Sequence, residues 1–145
     1  LAMPHAKMIN LVRHPMDTCY SNFKMLFNAG APYSYSLDDL GHYYVAYYHL
    51  MQHWHNALPQ KIHQVEYEAL TEDLERVARQ TLDFCDLTWS ADVLEFHKNS
   101  AASTTASAAQ VRQPLYKSSV ARWRHYEQEL TPLRRILEEG GVPVN

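Results

Sequence analysis

The sequence predicts an α/β chain that is mostly helical, with about two parallel strands and flanking helices. Three observations lead there. Met8, Ile9, Leu11 and Val12 form a short apolar run, broken only by Asn10 and bounded by Pro4 and Pro15. Such a run is too short for a helix and suits a buried strand of a parallel sheet. Ile62, Val65 and Tyr67 mark a second strand within Lys61–Leu70. Long segments of helical periodicity lie between and after the two, and crossovers of that length join parallel strands, not hairpins.

The first helix is expected from Pro15, which is favourable at the first helical position, to about Asn28. Met16, Cys19, Tyr20, Phe23, Leu26 and Phe27 recur every three or four residues along it, and Ala29-Gly30-Ala31-Pro32 stops it. Ser36, with Asp39 three residues on, reads as the cap of a second helix from Leu37 to Ala57. Leu40, Tyr44, Tyr47, Met51, Trp54 and Leu58 form its apolar stripe, and His42, His49 and His53 fall nearly opposite. His49 and His53 have the spacing of a metal pair. No Asp, Glu or Cys joins them within a turn, so they read as solvated surface histidines and no metal site is assigned. After the second strand, Thr71 is the expected cap of a helix over about Glu72–Cys85, with Glu72 and Asp73 in its first turn. Ser90 is the expected cap of a short helix to Phe96, with Trp89 and Phe96 as core. Asn99–Gln110 is a run of small residues and reads as a loop. Ser118 or Ser119 would cap a helix carrying Val120, Trp123, Tyr126 and Leu130, and a last short helix ends at Gly140-Gly141.

A chain of 145 residues, 46% apolar and 20% charged, is one globular domain. Its net charge of −3 argues against a broad nucleic-acid surface, so any phosphate site must be local. No apolar run approaches the roughly 20 residues that span a bilayer, and no signal peptide is evident. Cys19 and Cys85 lie in apolar helical patterns and read as buried reduced thiols, which suits a reducing, cytoplasmic setting. The start at Leu1, so close to the first strand, is what a piece of a larger protein would show.

Chemistry concentrates where the first strand ends. Arg13 closes the strand, Pro15 opens a helix, and Asp17 stands in its first turn. A guanidinium beside a helix N-terminus can hold an anion, and Ser21, two turns into the helix, could add a hydroxyl. In this segment, VRHPMDTCYSNF, the chain resembles the sulfotransferases that use 3′-phosphoadenosine 5′-phosphosulfate (PAPS), and its wording is closest to bacterial members, including those linked to tetratricopeptide repeats. Their 3′-phosphate segment is a strand, an Arg, and a Ser eight residues on, which is the spacing of Arg13 and Ser21. The resemblance continues through the Tyr-Glu-x-Leu wording at Tyr67, DLTWSADVLEFH, and the Val-Arg-x-Pro-x-Tyr segment at Arg112.

The resemblance implies the C-terminal portion of a P-loop-like sulfotransferase domain, occupying residues 1–145. It implies PAPS as co-substrate, adenosine 3′,5′-bisphosphate as product, no metal, and a hydroxyl or amine acceptor. It further implies Arg13, Ser21 and Arg112 at the 3′-phosphate, with Tyr67 and Ser107 beside the adenine. The family's 5′-phosphosulfate loop and catalytic His or Glu would precede Leu1, so no catalytic residue is assigned here, and His14 is given a structural role. In the family a further strand lies between those that match residues 7 and 61. This piece is therefore expected to hold two strands with a gap between them, and to expose apolar surface unless an upstream segment or another copy fills it. Two other classes remain open: a helical interaction module docking through the Tyr- and His-rich second helix, and a nucleotide kinase-like protein, which the absence of Gly-x4-Gly-Lys disfavours.

Overall fold

The computed structural model describes residues 5–25, 27, 30–98 and 118–144. Strand β1 is Met8–Val12, and helix α1 (Pro15–Lys24) follows after two residues. A 3-10 turn at Pro32–Tyr35 leads to helix α2, Leu37–Ala57. Strand β2 (Ile62–Glu66) then passes directly into two short helices, α3 (Tyr67–Glu72) and α4 (Leu74–Phe84). Further 3-10 segments occupy Ala91–Lys98 and Arg122–Tyr126, and helix α5 is Thr131–Glu139. This is the mostly helical α/β fragment, with one two-stranded parallel sheet, that the sequence leads one to expect.

The sheet corrects two expectations. β1 and β2 are hydrogen-bonded neighbours, with Met8 opposite Ile62 and Val12 opposite Glu66, and no gap lies between them. Nor is β1 buried: Ile9 and Leu11 are 52% and 57% exposed. The reason is one of coverage. α4 packs behind β2, where Val65 is buried and His63 stacks on Phe84. Ile9 and Leu11, one strand further out, lie on the edge strand.

The core is formed by helices. Met16 and Cys19 of α1, Leu40 of α2, Trp123, Leu130, and Leu133 and Leu137 of α5 are all buried, together with Val142 and Val144. Each fully buried Leu or Met stabilises by about 1.5–3 kcal/mol, so this cluster rather than the sheet holds the fold. Ser36 caps α2 as expected, its hydroxyl accepting the Asp39 N–H at 3.2 Å. α2 turns a different face to the core than the simple stripe suggests. Val45 and Tyr48 pack inward with Leu40, while Trp54 is 41% exposed. The contact with α5 sets that rotation. A Cβ at Gly41 would lie 2.9 Å from the Ile136 Cγ2, and one at Gly140 would lie 2.4 Å from the Val45 Cγ2, so both positions require glycine. α5 ends where the sequence places its stop. Gly141 takes φ 74°, and the amides of Gly141 and Val142 return to the carbonyls of Glu138 and Leu137, a Schellman arrangement.

Other boundaries move for local reasons. α1 stops at Lys24 because Met25 is extended, at φ −83° and ψ 121°. Asp73, not Thr71, caps α4 by accepting the Arg76 N–H at 3.0 Å. Thr71 instead donates back to the Glu68 carbonyl. Residues 118–130 are turns and 3-10 helix rather than α-helix, with Trp123 and Leu130 buried and Tyr126 exposed. Trp89 and Phe96 are half-buried, not core, and Arg79 lies 3.9 Å over the Trp89 ring. His42 and His49 are exposed and bond to the carbonyls of Asp38 and Gly140, in line with a surface role.

Gly140→Ala should force Val45 off its position and cost about 1–3 kcal/mol, the usual scale of overpacking. Chemical denaturation of the variant against the parent chain measures this; an unchanged midpoint would show the helices free to move apart.

Candidate functional site

β1 and β2 point their carboxyl ends the same way, and the outside of that edge is where parallel α/β sheets bind ligands. Arg13 leaves the end of β1 there, and Tyr67 leaves the end of β2. The two meet: the Arg13 guanidinium lies 5.2 Å over the Tyr67 ring, within cation–π range. Two of the expected site residues are thus brought together by the register of the strands. Ser21 is half-buried two turns into α1, one turn beyond Asp17 and so on the same side of that helix. Ser107 and Arg112 lie outside the described residues.

The residues that organise Arg13 are less legible in the sequence. Asp17 is fully buried. Its Oδ2 accepts the Ala121 N–H at 2.6 Å, its Oδ1 accepts the Trp123 N–H at 3.1 Å, and Oδ1 is 3.5 Å from Nη2 of Arg13. Arg13 Nη2 also donates to the Ser119 carbonyl. Glu68 of α3 accepts the His14 N–H at 2.9 Å, at the N-terminus of α1. Both features expected to attract an anion, the guanidinium and the helix start, therefore already touch carboxylates of the chain itself. The Arg13 side chain is 21% exposed, and its Nε is buried with no hydrogen-bond partner among the described residues.

A cleft of about 510 Å³ opens beside these groups, between α2 and the sheet. Arg13, His14, Asn10 and Glu68 line one wall, and Tyr44, Tyr47 and His55 the other. A smaller hollow of about 180 Å³ reaches Arg13 from the side of Leu11, Thr18 and Tyr43. Asn10 Nδ2 and His14 Nδ1, like Arg13 Nε, are buried without a hydrogen-bond partner among the described residues. Three such nitrogens give one side of the cleft a polar character, and buried polar atoms are costly where nothing meets them. Tyr47 steadies the opposite side by donating to Asn10 Oδ1 at 3.2 Å.

Residues 1–91 match the family profile described as "Sulfotransferase family". The chain belongs to the sulfotransferase family. It is also similar to an uncharacterized protein of Aquifex aeolicus (strain VF5), 41% identical over 143 residues, which cover 97% of this chain and 19% of that protein. The chain thus spans about a fifth of that relative's length. Among its described residues, no helix is long and apolar enough to cross a membrane.

Burial sets the ionisation of the groups around this cleft. It lowers the His14 pKa below its ordinary 6.5, outweighing the opposing pull of Asp17 and Glu68, and Arg124 and Arg13 lower it further. Neutral His14 stacks on Trp123 at 5.4 Å between ring centres. Burial also pushes the Cys19 thiol up to about 12, so it is no thiolate at neutral pH. Burial raises Tyr44, which lines both cavities, above its usual value, so it stays protonated as well.

The His14 shift predicts a pH dependence. Between the folded and ordinary pKa values the unfolded chain binds more protons, so stability should fall as the pH is lowered through about 6.5. Denaturation midpoints at pH 7.5 and 5.5 should differ more in the parent chain than in His14→Phe. Equal differences would show that His14 does not titrate with folding.

Proposed function

We propose that this chain forms the 3′-phosphate and adenine side of a sulfotransferase that moves a sulfuryl group from PAPS to a hydroxyl or amine. In this reading Arg13, Ser21 and Arg112 hold the 3′-phosphate, and Tyr67 and Ser107 flank the adenine. The observation that carries it is the pairing of Arg13 with the Tyr67 ring at the carboxyl ends of two parallel strands, a cation for a phosphate beside an aromatic face for a base. The Nε of Arg13, which meets no acceptor among the described residues, suits an oxygen-rich ligand. In the transfer, the bond from sulfur to the bridging oxygen of PAPS breaks as the acceptor oxygen or nitrogen bonds to sulfur. The acceptor proton passes to a base, and adenosine 3′,5′-bisphosphate departs. The chain's part is binding and orientation, which convert an encounter between two substrates into a reaction within one complex. No catalytic base is assigned within it.

An Arg contact to phosphate contributes about 1.5–3 kcal/mol. Calorimetry on the full-length protein should therefore show tighter binding of adenosine 3′,5′-bisphosphate than of AMP, and Arg13→Ala should weaken the bisphosphate roughly ten- to hundredfold. A second reading, a docking module, is favoured by the exposure of Tyr43, Leu50 and Trp54 on α2. It calls for equal indifference to both nucleotides.

The exposed edge of β1 is, on the same proposal, covered by another segment of the protein or by a second copy. The 145-residue chain alone should then self-associate at high concentration, and Leu11→Lys should shift its elution in size-exclusion chromatography toward monomer without lowering its melting temperature. Monomeric elution of the parent at all concentrations would leave that edge simply exposed.

A further inference from the structure

The most heavily engaged polar side chain near the cleft is one that would touch no nucleotide. Asp17 is fully buried, and an isolated buried carboxylate is costly enough that it persists only when hydrogen-bonded and paired. Its partners come from two places far apart in the chain. The Ala121 and Trp123 amides belong to the segment after residue 117, while the Arg13 guanidinium belongs to the end of β1. Arg13 closes the circuit by donating to the Ser119 carbonyl of that same segment. The backbone is shaped to suit, with Ala121 holding φ at 58° so that its own amide and that of Trp123 converge on one carboxylate.

We propose that Asp17 is the positioning residue of the 3′-phosphate site. It fixes the fork of Arg13 against the Ser119–Trp123 segment, so that the guanidinium is presented to the phosphate in one orientation. The inference rests on the nucleotide reading given above and deepens it. The physical logic is pre-organisation. A guanidinium held by a carboxylate on one side keeps few rotamers, so less entropy is lost when a phosphate meets its remaining donors. Asp17 also lowers the net charge at the spot, so its effect is expected on discrimination between nucleotides more than on general attraction for anions. A carboxylate acting only as a structural cap would stabilise the fold and leave that discrimination unchanged.

The test uses the full-length protein and two nucleotides, adenosine 3′,5′-bisphosphate and AMP. Asp17→Asn keeps the shape and one acceptor oxygen but loses the charge. It should reduce the ratio of the two affinities about tenfold or more while changing AMP binding by no more than about twofold. In an Arg13→Ala background the same change should have no further effect on the ratio, because the two residues act as one unit. In the unaltered protein, the bisphosphate should slow hydrogen exchange at the Ala121 and Trp123 amides more than AMP does, and this readout holds even if the Asn variant folds poorly. A parent that prefers the bisphosphate, with an Asn variant that keeps the preference, or with equal protection of those amides by both nucleotides, overturns the role of Asp17 alone. A parent indifferent to the two nucleotides overturns the nucleotide reading and this inference with it.

Discussion

The carboxylate of Asp17 joins the two halves of the structure. On one side of it lie β1 and α1, on the other the C-terminal segment that carries Trp123 into the helical core. Apolar burial pulls these halves together but gives no orientation. The carboxylate does, because two amides and a guanidinium must all reach its two oxygens. Replacing it by an apolar group would leave the Arg13 charge and two N–H groups without that partner, the kind of loss that costs several kcal/mol in buried pairs. His14 rests on Trp123 as a consequence of the same alignment.

How far the sequence could be read depended on whether a signal was local. Ser36 with Asp39, the Pro15 start, the Leu37–Ala57 helix and the Gly140-Gly141 stop depend on neighbours a few residues away, and all appear in the structure. The burial of β1 was misread because it depends on which elements lie over it, and α4 covers only β2 among the described residues. The segment Val120–Leu130 has helical spacing, yet Ala121 adopts a left-handed conformation to reach Asp17. There a contact between residues about a hundred positions apart overrides local periodicity. The face of α2 was also set from outside, by two glycines whose importance no hydrophobic pattern reveals.

At the site, Tyr67 stood out in the sequence only through the family resemblance, and the structure sets its ring beside Arg13 because the two strands pair in parallel. Asp17 was visible only as an acid in a first turn, although its place four residues after Arg13 is ion-pair spacing. Glu68 of α3 appeared in the sequence only within the Tyr-Glu-x-Leu wording, and its contact with the start of α1 could not be read there, since its partner is a backbone amide 54 positions away. Composition gives the identity of charged groups and says little about which of them will neutralise one another.

The contact between α2 and α5 has a mechanical consequence. Val45 sits over the bare Cα of Gly140 and Ile136 over that of Gly41, and both side chains are β-branched, with essentially one rotamer each in a helix. Two stiff pegs in two reciprocal notches, one turn apart on each rod, block sliding and rolling alike. Any tilt of α2 over the cleft must therefore carry α5 and the Val142–Val144 tail with it, so the wall holding Tyr44 and Tyr47 moves as part of a rigid lever.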